Sequence, residues 1–304
     1  MSKMCPLCGS KETIVREVIS GSDVNALYLR NFGINHALKS SHLDYCVCQH
    51  CGLGFFSPLE TGDAGLYERL QAFDWYYMED KEEYQIALRL MPTEGSVLEV
   101  GSGRAAFASL VGVNRYTGLE FNDKAIERAG SVGITLIKES VEDHAKHNLH
   151  QYDAVVSFQV LEHVSSPAQF IKGCVDCLKP GGTLILAVPS RDGFAGGAIN
   201  NVLDMPPHHV SHWTELAMRK IGDLYGLEVI SLVHESVASY HQYWARKVKI
   251  ESAIRRAIGL NFRLLDFRLF ARVISKLAGL LAYLVRQSQV GIKGHTVVAC
   301  YRMK

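Results

Sequence analysis

A short apolar run, Val97-Leu98-Glu99-Val100, ends in Gly101-Ser102-Gly103 and passes into a helix-favouring stretch at 105–110. This stretch constrains the chain more than any other. Val97, Leu98 and Val100 lie between Gly95 and Gly101, with the length and continuity of a central parallel strand. Glycine at 101 and 103 permits a sharp turn and lets a ligand approach the backbone. Strand-like and helix-like segments then alternate to the end of the chain. Candidate strands are 97–100, 116–120, 134–137, 154–158, 183–188, 227–233 and 296–301. That alternation predicts a doubly wound α/β sheet, with ligands bound outside the carboxyl ends of its strands.

Two ligands compete for the glycine turn. Gly101, Gly103 and Ala106 match the G-x-G-x-x-G/A pattern of dinucleotide sites, with Glu120 at the end of the next strand as a ribose ligand. Glu99 tips the choice. A carboxylate two residues before the first glycine is repelled by a diphosphate and attracted by an ammonium or sulfonium group. S-adenosylmethionine carries both positive groups and no phosphate. The string LEVGSGRAAF closely resembles motif I of the class I S-adenosylmethionine-dependent methyltransferases. FQVLEHV at 158–164 and LKPGGTLILAVP at 178–189 extend the resemblance, which covers nearly the whole chain.

The resemblance implies a Rossmann-like α/β sheet of seven strands, the last antiparallel between the fifth and sixth. It implies a cofactor site as well. Glu99, Gly101, Ser102 and Gly103 form the turn. Glu120 accepts hydrogen bonds from the ribose hydroxyls, and Phe121 flanks the adenine. Ser140 and Val141 lie at the adenine, where the family commonly has Asp in place of Ser140. Gln159 and Val160 line the methionine end. In this family the Glu and His of the LEH string often start the next helix, so a structural role for His163 is preferred over one as a base.

The acceptor side is expected after the fifth strand, in Asp204-Met205-Pro206-Pro207-His208-His209-Val210-Ser211-His212-Trp213-Thr214. This is a proline-fixed loop, with Thr214 as N-cap of a helix over Glu215–Tyr225. Methyl transfer to a hydroxyl needs alignment and a base, and neutral imidazole can accept the proton near pH 7. His209 is the preferred base, then His208. The loop's three histidines could instead bind a metal, or a histidine could fix the loop.

Residues 1–60 read as a separate zinc-ribbon module. Cys5-Pro6-Leu7-Cys8-Gly9 and Cys48-Gln49-His50-Cys51-Gly52 are two C-x-x-C-G knuckles. Cys5, Cys8, Cys48 and Cys51 make a closed set for a structural zinc ion, leaving Cys46 and His50 as spare donors. The layout, with CGLGFFSP leaving the second knuckle, resembles a zinc-binding module found on some bacterial sugar methyltransferases. Few basic residues flank the knuckles, which disfavours nucleic acid. Residues 61–92 read as a mostly helical bridge whose aromatic run, 74–77, either covers the cofactor or packs the module. Residues 93–304 form the methyltransferase domain. Cys174 and Cys177 share one helical face and read as buried core thiols.

The net charge of +1 gives no global field for nucleic acid, but the charge is uneven. Residues 245–286 hold 10 Lys/Arg and 2 Asp/Glu, a net +8, leaving −7 elsewhere. Within a basic amphipathic insertion at 240–288, apolar residues recur at three- and four-residue steps, with a break at Gly259-Leu260-Asn261. It suits a lid or a homo-oligomer surface, or contact with an anionic membrane or a lipid-linked acceptor. Its longest apolar run, 277–285, is too short to span a bilayer. The cysteine motif at the very start and the eight cysteines point to a cytoplasmic protein, peripheral to the membrane at most. The expected activity is O-methylation of a small hydroxylated molecule, such as a sugar of a surface glycan or a natural product. C-methylation of a nucleotide-linked sugar is one alternative; a non-catalytic cofactor-binding regulator or nucleic-acid-binding protein is the other.

Overall fold

The computed structural model describes residues 3–71, 73, 81–285 and 291–304. The aromatic run at 74–77 lies outside them. Strands β1 (Thr13–Ser20), β2 (His42–Cys48) and β3 (Gly54–Ser57) form an antiparallel sheet near the N-terminus. Seven strands form the large sheet: β4 (Val97–Val100), β5 (Tyr116–Leu119), β6 (Leu136–Ile137), β7 (Tyr152–Phe158), β8 (Leu178–Pro189), β10 (Leu227–His234) and β11 (Thr296–Met303). The short strand β9 (Ser211–His212) leaves the large sheet's sequence and pairs with β3. The N-terminal sheet is thus completed from the loop expected to face the acceptor.

The large sheet runs β10-β11-β8-β7-β4-β5-β6, with β11 antiparallel to both neighbours and the other pairings parallel. This is the expected class I methyltransferase order. Alternation along buried strands feeds two cores. Leu98, Val100, Leu184, Leu186 and Val188 pack on one face, and Val97, Ile185 and Ala187 on the other. Burying each of these Leu, Ile and Val side chains contributes roughly 1.5–3 kcal/mol. The first core runs on through Trp213 to Leu7, Leu53 and the cysteines, joining the N-terminal module to the sheet.

The helices are α1 (Gly21–Phe32), α2 (Ala64–Gln71), α3 (Glu82–Leu90), α4 (Ala106–Val111), α5 (Asp123–Ser131), α6 (Val141–His147), α7 (Pro167–Asp176), α8 (Glu215–Tyr225), α9 (Gln242–Ala257) and α10 (Leu269–Leu284). The sequence signals for their starts are local. Asn122, Ser140 and Thr214 each accept a backbone N–H as N-caps of α5, α6 and α8. Cys174 and Cys177 are fully buried at the end of α7.

Helices α9 and α10 pack together between β10 and β11. Their linker is pinned by Arg255 on Asp266 at 3.0 Å, where Arg268 also bonds the same carboxylate. On α10 the small residues Ala271, Ala278 and Ala282 are buried with Ile274. The larger Leu269, Val273, Leu277, Leu280 and Leu284 are exposed. Close helix packing selects the small side chains and leaves the large ones outward. No helix among the described residues is long and apolar enough to cross a membrane.

Candidate active site

A cavity of about 1120 Å³ opens at the carboxyl ends of β4, β5, β7 and β8. That exceeds the usual 300–1,000 Å³ of a single small-molecule site, so two ligands fit side by side. Its two ends are built differently.

At one end lies the glycine turn. The N–H groups of Gly101 and Ser102 both donate to the Leu119 carbonyl, at 2.9 and 3.0 Å. Gly101 has φ +76°, and a Cβ there would meet Val160 Cγ2 at 2.4 Å, so only glycine fits both backbone and neighbour. Glu120 extends from the end of β5. Its Oε2 accepts the Gly103 N–H at 2.7 Å, and its Oε1 accepts those of Phe121 and Asn122 at 2.8 Å. Glu99 is buried in β4 and accepts a 2.5 Å hydrogen bond from the Tyr116 hydroxyl on the neighbouring strand. Burial pushes the Glu99 carboxyl up to about 8, against the lowering effects of Tyr116 and Lys81. Ser102, Phe121, Ser140, Val141, Gln159 and Val160 all line the same cavity. Ser140 is already engaged: it caps α6 and donates to Asp143 at 2.9 Å. Gln159 sits at φ +56° with its amide on buried Glu83 at 2.7 Å.

At the other end three imidazoles converge. His163 follows β7, and His208 and His209 come from the loop after β8. Each holds its Nδ1 against an acceptor. His163 Nδ1 lies 2.6 Å from the His208 carbonyl oxygen, and His208 Nδ1 lies 2.9 Å from that of Leu203. A carbonyl only accepts, so both Nδ1 atoms carry the proton. His209 Nδ1 lies 3.3 Å from Asp204 Oδ1. Burial would raise the Asp204 carboxyl, but His212 and His209 overcome that and hold it well below the usual carboxylate range. It therefore stays ionised and accepts from His209. Burial lowers all three imidazoles, His163 to about 3, and keeps them neutral. Glu162 stands beside them. His163 Nε2 and His209 Nε2 are 3.7 and 3.9 Å from its Oε1. Among the described residues neither Glu162 oxygen has a hydrogen-bond partner, and burial pushes the carboxyl up to about 8.

The N-terminal sheet holds this loop in place. Gly54 pairs with His212, Phe55 with Ser211, and the Phe56 N–H donates to the Val210 carbonyl at 3.1 Å. From α1, the Tyr28 hydroxyl donates to the Met205 carbonyl at 3.0 Å and accepts the His208 N–H at 3.3 Å. The four cysteine sulfurs lie elsewhere. Cys5–Cys51 and Cys8–Cys48 are each 3.6 Å apart, and all four atoms fall within 4.8 Å of one another.

Sequence reasoning missed Glu162 and Asp204 in the cavity wall, and Glu83 and Tyr116 behind it, bonded to Gln159 and Glu99. Glu162 carried a signal, the LEH string, but read as a helix start. Asp204 stood inside the quoted loop. Glu83 and Tyr116 carried none.

A family model described as a methyltransferase domain matches residues 75–232, just over half of the chain. Ubiquinone biosynthesis O-methyltransferases of Citrobacter koseri and Serratia proteamaculans are 30% and 31% identical over 105 residues, 32% of this chain. The match covers 43% and 44% of those proteins, so it spans less than half the length of these curated relatives. A S-adenosylmethionine-dependent methyltransferase structure from Archaeoglobus fulgidus superposes with a TM-score of 0.52 at 13% identity, covering 79% of this chain and 100% of that one. That likeness is one of fold.

Proposed function

The chain belongs to the class I S-adenosylmethionine-dependent methyltransferase family, and from that premise we propose that it O-methylates a small hydroxylated acceptor bound against His209. One observation carries the reading: the glycine turn and the Asp204–His209 pair open on the same cavity. S-adenosylmethionine, when bound, supplies a methyl group on a positively charged sulfur that leaves as a neutral thioether. The residues of the turn fit it. Glu99 and Glu120 line that end, with buried Glu83 behind Gln159, and carboxylates favour a cation and disfavour a diphosphate.

In this reading Glu120 receives the ribose hydroxyls chiefly on Oε2, which accepts one backbone N–H where Oε1 accepts two. Phe121, Ser140 and Val141 hold the adenine, and Gln159 and Val160 the methionine end. His209 Nε2 would take the proton of the acceptor hydroxyl as its oxygen gained the methyl group that S-adenosylmethionine, held at the turn, would supply. Asp204 keeps the His209 proton on Nδ1, which leaves Nε2 as the basic atom. His208 is the second candidate. Holding both reactants in line contributes further to the rate.

Cys5, Cys8, Cys48 and Cys51 fit a structural zinc ion. A tetrahedral zinc thiolate site has sulfur–sulfur edges of about 3.8 Å, and the paired sulfurs stand at 3.6 Å. We assign 1–60 to this module, 61–92 to a helical bridge and 93–304 to the methyltransferase domain. The O-methyltransferase names of the curated relatives support a hydroxyl acceptor over carbon. The likeness of the N-terminal module to that of sugar methyltransferases supports a sugar of a surface glycan, free or lipid-linked. The exposed leucines and basic residues at 240–288 support contact with the inner face of a membrane or with a second copy of the chain. The test is a screen of hydroxylated acceptors with methyl-labelled cofactor, scored by alkali-stable label on oxygen. Label found only on carbon or nitrogen would overturn O-methylation.

A further inference from the structure

We propose that His163, His208 and His209, with Glu162 beside them, form a binding site for a divalent first-row transition-metal ion at the acceptor end of the cavity. The proposal rests on the reading of that end as the acceptor site.

Three independent features point to it. The first is convergence: one ring nitrogen from each histidine lies within 4.8 Å of the other two. Metal–nitrogen bonds of about 2.0–2.1 Å bring neighbouring donors to roughly 3–3.4 Å apart, so each ring need shift by less than about 1 Å. The second is orientation. Metal-binding histidines almost always donate their other N–H to a carbonyl or carboxylate, which fixes the tautomer. All three rings do so, to the His208 and Leu203 carbonyls and to Asp204. The third is Glu162, 1% exposed, whose two oxygens have no hydrogen-bond partner among the described residues. Buried polar oxygens are nearly always partnered, so this pair calls for something that supplies a donor or a positive charge. A bound cation beside His163 and His209 would do so.

Imidazole and carboxylate donors suit Zn²⁺, Fe²⁺ or Mn²⁺, in contrast to the all-thiolate cysteine set. The cavity leaves room for an acceptor oxygen on the same ion. The ion would lower the pKa of that hydroxyl. His209 would then be a ligand, and the hydroxyl proton would leave to solvent through the mouth of the cavity.

The test counts metal. Full-length protein is purified, treated with a mild chelator, reloaded with zinc and analysed for elements. About two ions per chain are expected for the wild type. His163→Asn and His209→Asn keep an amide donor where Nδ1–H stood but remove Nε2, and each should fall to about one ion. Co²⁺ added to protein with a zinc-filled cysteine cluster should give weak visible bands without thiolate charge-transfer absorption, and His163→Asn should lose them. One ion in the wild type and in both variants, with no Co²⁺ response, would overturn the metal site. The base reading then survives if metal-depleted wild type still methylates a hydroxyl and His209→Ala does not. It fails separately if His209→Ala is fully active.

Discussion

The cysteine and histidine clusters are both convergent donor sets, but they are assembled in opposite ways. The cysteines sit on two four-residue knuckles, packed among Leu7 and Leu53. The histidines come from segments about as far apart as the two knuckles, but they donate hydrogen bonds to carbonyls and Asp204 and line the cavity. A closed thiolate set surrounded by core stabilises a fold. An imidazole set open to a ligand-sized space can act on what enters. The two are mechanically linked, because β3 pairs with the loop that carries His212 and Tyr28 holds Met205 and His208.

The largest break in this comparison should come from the closed cluster. Cys5→Ser with Cys51→Ser should lose the zinc ion, whose binding free energy in small zinc domains is about 10–16 kcal/mol. The N-terminal sheet should unfold, and methylation should disappear because β3 no longer supports the histidine loop. Elemental analysis with thermal unfolding checks this; a metal-free protein with native Tm and rate would separate the clusters.

Next comes the open cluster. His209→Ala should lower turnover by about a hundred- to ten-thousand-fold, with cofactor affinity nearly unchanged. Its Tm should move far less than that of the cysteine variant. Steady-state kinetics and a thermal scan together decide whether chemistry and stability reside in different clusters.

The smallest effect concerns pH. The Glu99 carboxyl is raised to about 8, chiefly by burial, with Glu120 and Glu83 adding to it and Tyr116 and Lys81 opposing. Below about 8 it is protonated in the free protein, yet a sulfonium or ammonium favours the ionised form. Binding should therefore release a proton near pH 7, and affinity should rise as pH increases toward 8 and then level. Above 8 the carboxylate is already ionised. Calorimetry in buffers of different ionisation enthalpy should detect the proton, and Glu99→Gln should abolish the release. A flat profile in the wild type would leave Glu99 uncharged beside the cofactor.

The cofactor end was legible because its parts are contiguous. One strand, one turn and one helix start carry Glu99, Gly101, Ser102 and Gly103, and the next strand ends in Glu120. The seven strands were legible from the alternation of strand-like and helix-like segments. The acceptor end was legible only as a loop rich in histidine. Its partners depend on contacts across the fold: Glu162 read as the start of a helix, although it borders two imidazoles. Glu83 follows Lys81 and Glu82, where acidic residues ordinarily favour a solvated helix N-terminus. Packing of α3 against β11 buries it instead. Strand β9 has two residues and no strand pattern of its own, so the closure of the N-terminal sheet was not visible. On α10, spacing identified an apolar stripe, while close packing chose the alanines for the interface.

The central claim is that the glycine turn and Glu120 hold S-adenosylmethionine beside the histidine cluster. Calorimetric titration with S-adenosylmethionine, its demethylated product and NAD tests it most directly. The account predicts that the first two bind, that NAD does not, and that Glu120→Ala weakens both by roughly 10- to 150-fold, the worth of hydrogen bonds to a charged group. Binding of NAD alone, or unchanged affinity in Glu120→Ala, would contradict it.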